Sequence, residues 1–238
     1  MPHQWNESAR LRAQQIESGL DLTFSKVFLP YFRDQLQKLK PNSLLEIGGG
    51  TGHLCKALTD LTSRYVLLEP SEGMHAVAHE VLSGLSVHIV NESIEVFSSC
   101  NERFDLILSH MCVQTAGNLE AFAKALAQAL DPNGMYLLSL PHPAFYNEYK
   151  EFFPPQSFSY IEERYASVCF SITLDPTRKI AAVPYYHRPL STYVAALASA
   201  GLCVEILDEI FPDPQIQNLY GERWKRPRYV VIGGRLCS

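Results

Sequence analysis

The chain has 238 residues, 47% of them hydrophobic, which suits one large α/β domain or one domain with a small insert. Its net charge of −5 makes nucleic acid an unlikely partner class, because nucleic-acid binding normally uses a basic face. No apolar run approaches the roughly 18 residues that cross a membrane, and the polar start lacks a secretory apolar segment, so we expect no membrane association.

The cysteines lie singly along the chain, and no C-x-x-C pair occurs. They are Cys55, Cys100, Cys112, Cys169, Cys203 and Cys237. This pattern favours neither a zinc site nor a disulfide framework, and we predict no metal site. A reducing, cytoplasmic location follows as the expectation.

The N-terminal segment carries apolar residues at helical spacing. Residues 8–39 are therefore predicted to be mainly helical, with Pro30 dividing the segment or opening a new helix. We interpret residues 1–40 as a helical cap that packs over a sheet, an arrangement that is compatible with a lid over a substrate pocket.

A glycine-rich turn follows the first predicted strand, Ser43–Ile47. Glycines at 48, 50 and 52 let a ligand approach the backbone where no Cβ intervenes. A dinucleotide site would need glycine at position 53, which is His53, and a P-loop would need a terminal Lys-Ser/Thr. The pattern is instead acidic-x-Gly-x-Gly-x-Gly, beginning at Glu46.

The second predicted strand also ends in an acid. Val66–Glu69 is followed by Pro70 and by Ser71, which can cap a helix running to about Leu82. A carboxylate at this strand end can accept hydrogen bonds from both hydroxyls of a ribose. A solvated strand end is the alternative, and the upstream glycine turn favours the ribose role.

Alternation of strands and helices continues along the chain. Strands are predicted at 86–90, 104–109 and 135–140, with a helix at 119–130 and a turn at 131–134. Five repeats of this alternation between residues 43 and 140 predict a parallel, doubly wound sheet. Right-handed crossovers would put a ligand at the carboxyl ends of its strands.

The remaining chain divides into two parts. Residues 141–187 are rich in proline and aromatic residues and are predicted to form an insert that roofs a pocket, with strands at 165–174 and 180–186 around a turn at 175–178. Residues 188–238 are predicted to complete the sheet of the core at 41–140. They do so with a helix at 191–200 and strands at 202–207 and 229–233.

One basic cluster, residues 223–228, lies between the last two predicted strands. A nucleic-acid patch would need neighbouring basic surface, and the rest of the chain supplies little. We interpret the cluster as a solvated hairpin tip.

Five features, in order, resemble the class I S-adenosylmethionine-dependent methyltransferases. They are Glu46-x-Gly48-x-Gly50-x-Gly52, Glu69-Pro70-Ser71-x-x-Met74, the turn at Ser93, Phe104-Asp105 and Leu130-Asp131-Pro132-Asn133-Gly134. The resemblance is close over residues 40–140. Asn133 departs from the usual Gly-Gly, although asparagine tolerates left-handed backbone. Looser resemblance to small-molecule members follows at Pro141-His142-Pro143 and from Tyr186 to Leu202.

This resemblance implies a Rossmann-like, seven-stranded, doubly wound sheet, mostly parallel with an antiparallel last strand, plus a roofing insert after strand five. It implies S-adenosyl-L-methionine as cofactor. The implied cofactor-binding residues are Glu46, Gly48, Gly50, Gly52, Glu69, Pro70, Met74, Ser93, Ile94 and Ser109. Near the adenine, Glu92 is the alternative to the Ser93-Ile94 pair.

The chemistry asks little of the protein, because the implied cofactor is already activated. The protein aligns the nucleophile with the methyl group and excludes water. A hydroxyl nucleophile also needs a base poised near neutrality, usually histidine. His110, His142 and His187 lie at strand ends or at the end of the insert and are the candidates, whereas His53 is assigned to a helix start.

Three residues in the insert or directly after it are candidates for substrate binding. Tyr146 and Tyr186 could form the walls of a site for an aromatic or amine substrate, with plain aromatic packing as the alternative. Arg188 could hold a carboxylate or a helix end.

These observations predict an enzyme, a cytoplasmic class I methyltransferase that moves a methyl group from S-adenosylmethionine to an oxygen or nitrogen of a small molecule. The aromatic insert favours an enclosed small-molecule acceptor. The alternatives are a methyltransferase acting on RNA or protein, and a non-catalytic S-adenosylmethionine-binding protein.

Overall fold

A computed structural model describes residues 5–237. The α-helices are α1 Ala9–Glu17, α2 Leu29–Leu39, α3 His53–Leu58, α4 Glu72–Val81, α5 Ile94–Phe97, α6 Leu119–Ala129, α7 Tyr146–Lys150, α8 Leu190–Ser199 and α9 Pro214–Leu219. A π-helical segment, Thr23–Phe28, leads into α2, and 3₁₀ turns occupy Thr59–Leu61, Ser98–Cys100 and Val113–Thr115. The strands are β1 Ser43–Ile47, β2 Arg64–Leu68, β3 His88–Val90, β4 Phe104–His110, β5 Leu130–Pro141, β6 Arg164–Ile172, β7 Asp175–His187, β8 Leu202–Ile210 and β9 Tyr229–Leu236.

Seven strands form one sheet in the order β3-β2-β1-β4-β5-β9-β8, and β6 and β7 form a separate two-stranded sheet. The pairs β1–β2, β2–β3 and β4–β5 are parallel. Strand β9 runs antiparallel to both of its neighbours, β5 and β8. The predicted seven-stranded, mostly parallel sheet with an antiparallel last strand is confirmed.

The chain forms two compact units, each built from several segments. The first comprises the residues up to Ser93 together with Cys169–Val183 and Pro212–Arg223, and the second comprises Ile94–Val168, Pro184–Phe211 and the chain from Trp224 onward. The predicted cap, core, insert and completion divide the chain by sequence segment, whereas these units are groups of residues in mutual contact. Among the described residues, no helix is long and apolar enough to cross a membrane.

The first unit is built around β1 and β2. Their side chains Leu44, Leu45, Leu67 and Leu68 are fully buried, because parallel strands covered on both faces are apolar throughout. Helix α1 packs on α4 through one apolar cluster, whose members are Trp5, Ala9, Ala13, Met74, Val77 and Val81. The predicted N-terminal helix therefore packs against a helix of the same unit.

In the second unit, the predicted turn at 131–134 lies inside β5. Register with β4 passes from Phe104 opposite Leu130 to Leu106 opposite Met135, so the intervening residues of β5 bulge out. The Asn133 N–H donates to Asp131 Oδ1 at 2.9 Å, which is the local bond expected of an Asp turn. The turn residues at 131–134 thus form a bulge within β5, and the strand begins at Leu130 and not at the predicted residue 135.

The hairpin of β6 and β7 corrects the turn predicted at 175–178. The turn residues are Thr173 and Leu174, and β7 already begins at Asp175. Proline at 176 suggested a turn, yet β6 and β7 form a two-stranded sheet, so each is an edge strand, where proline is tolerated. Asp175 is held by Gln15 Nε2 at 2.9 Å and Arg178 Nε at 2.9 Å, so its carboxylate stabilises a strand start.

A disulfide joins Cys203 near the start of β8 to Cys237 just after β9. The sequence predicted no disulfide framework, because the two cysteines are 34 residues apart and match no motif. Antiparallel register places Leu202 opposite Leu236 and so brings the two thiols to the same strand ends. The pairing depends on tertiary register, which spacing alone does not reveal.

Candidate functional site

The glycine turn after β1 depends on backbone that other residues rarely adopt. Gly48, Gly50 and Gly52 have φ values of 67°, 57° and 76°, in the left-handed region. At Gly49, a Cβ would lie 2.5 Å from Leu67 Cγ, so the turn packs directly against β2. At Gly50, a Cβ would meet no heavy atom within 4 Å, so space is free beside the backbone there.

The Glu69 carboxylate, just after β2, binds this turn. Its Oε2 accepts from the Gly50 N–H and its Oε1 accepts from the Ser71 N–H, both at 2.8 Å. The side chain is buried, and burial raises the pKa of Glu69 to about 6 even though both amides favour the ionised form. Asn91 Nδ2 donates to the Glu69 carbonyl at 2.8 Å, which ties the end of β2 to the end of β3.

These groups fit the implied cofactor. A carboxylate has about four acceptor positions, and two backbone amides leave some of them for hydroxyl donors. Gly50 has open space where a Cβ would lie, and its amide donates to one of those oxygens. A vicinal diol such as a ribose therefore meets a suitable acceptor at a turn open to close approach.

Glu46, at the head of the motif, has a different environment. Its Oε2 accepts from the Tyr65 hydroxyl at 2.7 Å, and only 2% of the residue is exposed. Burial raises the pKa of Glu46 to about 8. Direct contact between Glu46 and a cofactor stays a prediction, while Tyr65 is a partner that the sequence did not suggest.

The residues after Glu69 connect the turn to the N-terminal segment. Ser71 caps α4, as predicted, because its Oγ accepts from the Met74 N–H at 3.3 Å. The same hydroxyl donates to Asn6 Oδ1 at 2.7 Å, and the Gly73 N–H donates to that oxygen at 3.0 Å. Pro70 is half-buried, whereas Met74 is buried against α1, so the predicted cofactor contact of Met74 competes with core packing.

His53 belongs to the start of α3, in agreement with its assignment from the sequence. Its Nδ1 lies 2.8 Å from Thr51 Oγ1, and its Nε2 lies 3.4 Å from Glu17 Oε1. Burial lowers the pKa of His53. The ring thus connects the glycine turn to α1.

Ser93 and Ile94 fall where the two units divide the chain. Ser93 and its alternative, Glu92, are half-buried, whereas Ile94 begins α5 and is 1% exposed. Adenine contact by Ser93 and Ile94 stays a prediction, with Glu92 as the alternative.

In the second unit, β4 ends in two polar residues. Ser109 is fully buried, and within residues 5–237 its Oγ has no hydrogen-bond partner. His110 is half-buried, and its Nδ1 lies 2.8 Å from Ser139 Oγ on β5. Met111 follows with a left-handed φ of 51°, and its N–H donates to the Ser139 carbonyl at 2.9 Å. Ser139 was missed from the sequence, because only the register of β4 with β5 puts it opposite His110.

His142 makes contacts with both ring nitrogens. Nε2 lies 3.0 Å from Glu209 Oε1, and Nδ1 accepts from the Ala144 N–H at 3.2 Å. The ring stacks on Phe145 with 4.6 Å between centroids, and the residue is 1% exposed. This geometry favours a structural role over the proton-accepting role predicted for it.

His187 is enclosed by the insert. Its Nε2 lies 2.9 Å from the Tyr160 carbonyl, so that nitrogen carries the proton. The ring lies 4.8 Å from the Phe158 centroid, and the residue is 2% exposed. Burial lowers the pKa of His187. Of the three candidate bases, His110 alone is not fully buried.

The candidate substrate-binding residues have two kinds of surroundings. Tyr146 is buried, with its ring 5.8 Å from both Tyr149 and Phe152 and 5.6 Å from Tyr229. These contacts favour aromatic packing, the alternative to substrate binding, for Tyr146. Tyr186 is half-buried, and the Arg188 guanidinium lies 4.7 Å from its ring centroid.

The basic cluster at residues 223–228 was predicted to be a solvated hairpin tip, but part of it is buried. Arg228 is buried and lies 3.7 Å over the Tyr149 ring, and Trp224 is 4% exposed. Arg226 pairs with Glu148 at 3.2 Å. Because Arg228 packs on aromatic rings, its charge is not available at the surface, which argues against a nucleic-acid-binding face here. In the described part of the chain, no group of three His, Cys, Asp or Glu side chains could hold a metal ion.

Comparison with known proteins identifies relatives. The family described as "Methyltransferase domain" matches residues 24–167, more than half of the chain. A ubiquinone biosynthesis O-methyltransferase of Bartonella bacilliformis is 26% identical over 141 residues, which cover 57% of each chain. The present chain thus spans little more than half the length of the curated relatives it matches.

Solved structures share the fold at low identity. An S-adenosylmethionine-dependent methyltransferase from Clostridium acetobutylicum has a TM-score of 0.67 and 14% identity, covering 98% of this chain and 99% of its own. The 1,6-didemethyltoxoflavin-N1-methyltransferase of Burkholderia thailandensis, bound to 1,6-didemethyltoxoflavin and S-adenosylhomocysteine, has a TM-score of 0.60 and 15% identity, covering 100% of this chain and 91% of its own.

Proposed function

The chain belongs to the methyltransferase domain family, within the class I S-adenosylmethionine-dependent enzymes, and on that premise we propose that it methylates an oxygen or nitrogen of a small molecule. The observation that carries the proposal is the Glu69 carboxylate bound to the glycine turn. S-adenosylmethionine is the cofactor, and Glu69 with Gly48, Gly50 and Gly52 would hold it.

Two observations support a small acceptor. The curated relative named above acts in ubiquinone biosynthesis as an O-methyltransferase, and a structural neighbour binds 1,6-didemethyltoxoflavin. In this chain, Arg228 is buried against aromatic rings and is not presented to a polyanion. The cytoplasmic location predicted from the sequence was argued from unpaired cysteines, and the Cys203–Cys237 disulfide removes that support.

This proposal assigns each residue a role in binding or in catalysis. Glu69 accepts hydrogen bonds from the ribose hydroxyls, and the glycine turn lets the ligand approach the backbone. When bound, S-adenosylmethionine supplies a methyl group activated by its sulfonium. His110 takes the proton from a hydroxyl nucleophile, and Ser139 is the positioning residue that fixes the His110 ring.

Cofactor binding should depend on pH through Glu69. The pKa of Glu69 is about 6 in the free protein, and hydroxyl donors of a ligand stabilise the ionised form, so the pKa falls on binding. The affinity for the cofactor is therefore highest well above pH 6, where Glu69 is ionised, and it declines as the pH drops through that value. We expect S-adenosylhomocysteine to bind about 10-fold more weakly at pH 5 than at pH 7.5, measured by calorimetry.

The matched control for this pH dependence is Glu69→Gln, which removes the titrating group and keeps its size. Binding to this variant should be weaker and nearly independent of pH between 5 and 7.5. If the variant keeps the slope of the parent, another group is responsible and the role of Glu69 is wrong.

The overall proposal is tested by a screen of small phenols, catechols and amines that follows release of S-adenosylhomocysteine. We expect release that requires both the parent chain and an acceptor, and that falls sharply with Glu69→Gln. Calorimetry with S-adenosylmethionine and S-adenosylhomocysteine accompanies the screen. Absence of binding by either at millimolar concentration would overturn the proposal.

A further inference from the structure

Arg188 is a buried cation whose charge is incompletely matched. The residue is 5% exposed, and its Nη2 donates to the Ala116 carbonyl at 2.7 Å and the Gly117 carbonyl at 3.1 Å. The carboxylate of Glu163 lies 3.8 Å from Nε, beyond hydrogen-bond distance, on a side chain that is 57% exposed. A buried charge costs several kcal/mol unless it is closely paired, so this site favours a further anion.

One nitrogen of the guanidinium is still able to donate. Arg188 Nη1 is buried and has no hydrogen-bond partner of normal geometry among residues 5–237. The Tyr193 hydroxyl interacts with the guanidinium, but this neutral group does not match its charge. A buried donor without an acceptor is unusual in native proteins and calls for an explanation such as a missing ligand. One face of the group lies over the Tyr186 ring, which leaves the planar nitrogen edge for recognition.

The loop that Arg188 contacts carries a second buried atom without a partner. Gln114 lies two residues before Ala116, and its Nε2 donates to the Met111 carbonyl at 2.7 Å. Its Oε1 is buried and accepts from no described residue. The same loop follows His110 at the end of β4. Gln114 in this loop and Arg188 bound to it thus supply an acceptor oxygen and a cationic donor, which suits a ligand with one N–H or O–H group and one anionic group.

We propose that the methyl acceptor is a small carboxylic acid and that Arg188 binds its carboxylate through Nη1. This inference rests on the proposed function, because it names the substrate class of that enzyme. Nη1 carries two N–H donors, and hydrogen bonds between charged groups are the strong ones. Gln114 Oε1 accepts from the hydroxyl or amine of the same molecule.

The competing explanation is that Arg188 only fixes the loop at Ala116 and Gly117. The two explanations differ in ligand selectivity, because a purely structural arginine has no reason to distinguish an acid from its carboxamide. The probes are matched pairs, namely salicylate and salicylamide, anthranilate and anthranilamide, and 3,4-dihydroxybenzoate and its carboxamide. Binding is measured by calorimetry and ligand-observed NMR, with and without saturating S-adenosylhomocysteine.

We expect at least one acid to bind the parent about 10-fold more tightly than its carboxamide, the size typical of one charge-assisted hydrogen bond. Arg188→Gln should reduce this preference to about twofold or less, since a glutamine amide donates to carbonyls but carries no charge. Arg164→Gln is the control, because it removes an arginine of β6 that pairs with Glu162, and it should keep the preference of the parent.

Two results would overturn the assignment: no acid preferred over its carboxamide in any pair, or an acid preference that survives Arg188→Gln. Thermal unfolding of each variant shows whether the fold persists, and Arg188→Lys, which keeps the charge, should retain part of the preference. Methylation of neutral phenols without preference for acids would leave the proposed function standing and reject the carboxylate site. Failure to bind S-adenosylhomocysteine would instead reject the proposed function, and the titrations without it would still decide on Arg188.

Discussion

A Glu69→Ala variant is expected to bind S-adenosylhomocysteine about 100-fold more weakly than the parent chain. Hydrogen bonds to a charged group are each worth about 1.5–3 kcal/mol when a buried partner is lost, and about 2.7 kcal/mol corresponds to 100-fold. The same carboxylate accepts from the Gly50 and Ser71 amides, so its removal also releases the turn that the ligand approaches. Calorimetry at pH 7.5 measures the change.

Two controls separate this effect from general damage. Glu72→Ala removes an exposed acid from the first turn of α4 and should change affinity by no more than about twofold, as for most surface substitutions. His187→Ala removes a buried ring of the second unit and should also spare cofactor affinity. Equal losses in Glu69→Ala and His187→Ala would refute the assignment of Glu69 to the cofactor.

Features set by neighbouring residues were predictable from the sequence. The strand Ser43–Ile47 has the predicted bounds, because an apolar run before a glycine turn allows few other structures. The cap of α4 at Ser71 was also correct, since it uses an amide only three residues ahead. Each of these features depends on interactions within a few residues.

Features set by register were not predictable. Ser139 lies opposite His110, and Cys203 meets Cys237, only because particular strands pair in a particular alignment. Asn6 reaches the start of α4 across more than sixty residues of chain. A one-residue slip of a strand would reverse which side chains meet, and single-sequence patterns do not fix that alignment.

The residues of the candidate site show the same difference between local and long-range features. The glycine turn and Glu69 follow from a contiguous motif, whereas the three histidines carried no local signal that could rank them. Contacts now do so: His142 uses both ring nitrogens, His187 is enclosed by aromatic rings, and His110 is half-buried with an orienting partner. A general base must reach the proton that it removes, and of the three rings only that of His110 is not fully buried, so His110 ranks first.

His110→Ala is therefore expected to lower kcat by about 100- to 1,000-fold with a hydroxyl acceptor, in the lower part of the range typical of a lost general base. Binding of S-adenosylhomocysteine should be nearly unchanged, because Glu69 and the glycine turn are intact. The measurement uses the best hydroxyl acceptor from the screen, at saturating cofactor, with kcat followed across pH 5–9.

Ser139→Ala should have a smaller effect on kcat than His110→Ala. Loss of the hydroxyl that lies 2.8 Å from His110 Nδ1 frees the ring, and we expect kcat to fall about 10-fold and its pH profile to shift. A purely structural role for Ser139 would lower stability and leave the pH profile in place.

The nature of the acceptor changes this expectation in a definite way. An unprotonated amine is already a good nucleophile, so His110→Ala should cost an amine acceptor less than about 10-fold. A hydroxyl is a poor nucleophile unless its proton is removed as the new bond forms. The ratio of the two losses thus reports whether His110 acts as a general base. If His142→Ala or His187→Ala, still folded, slows a hydroxyl acceptor more than His110→Ala does, the base has been assigned to the wrong strand end.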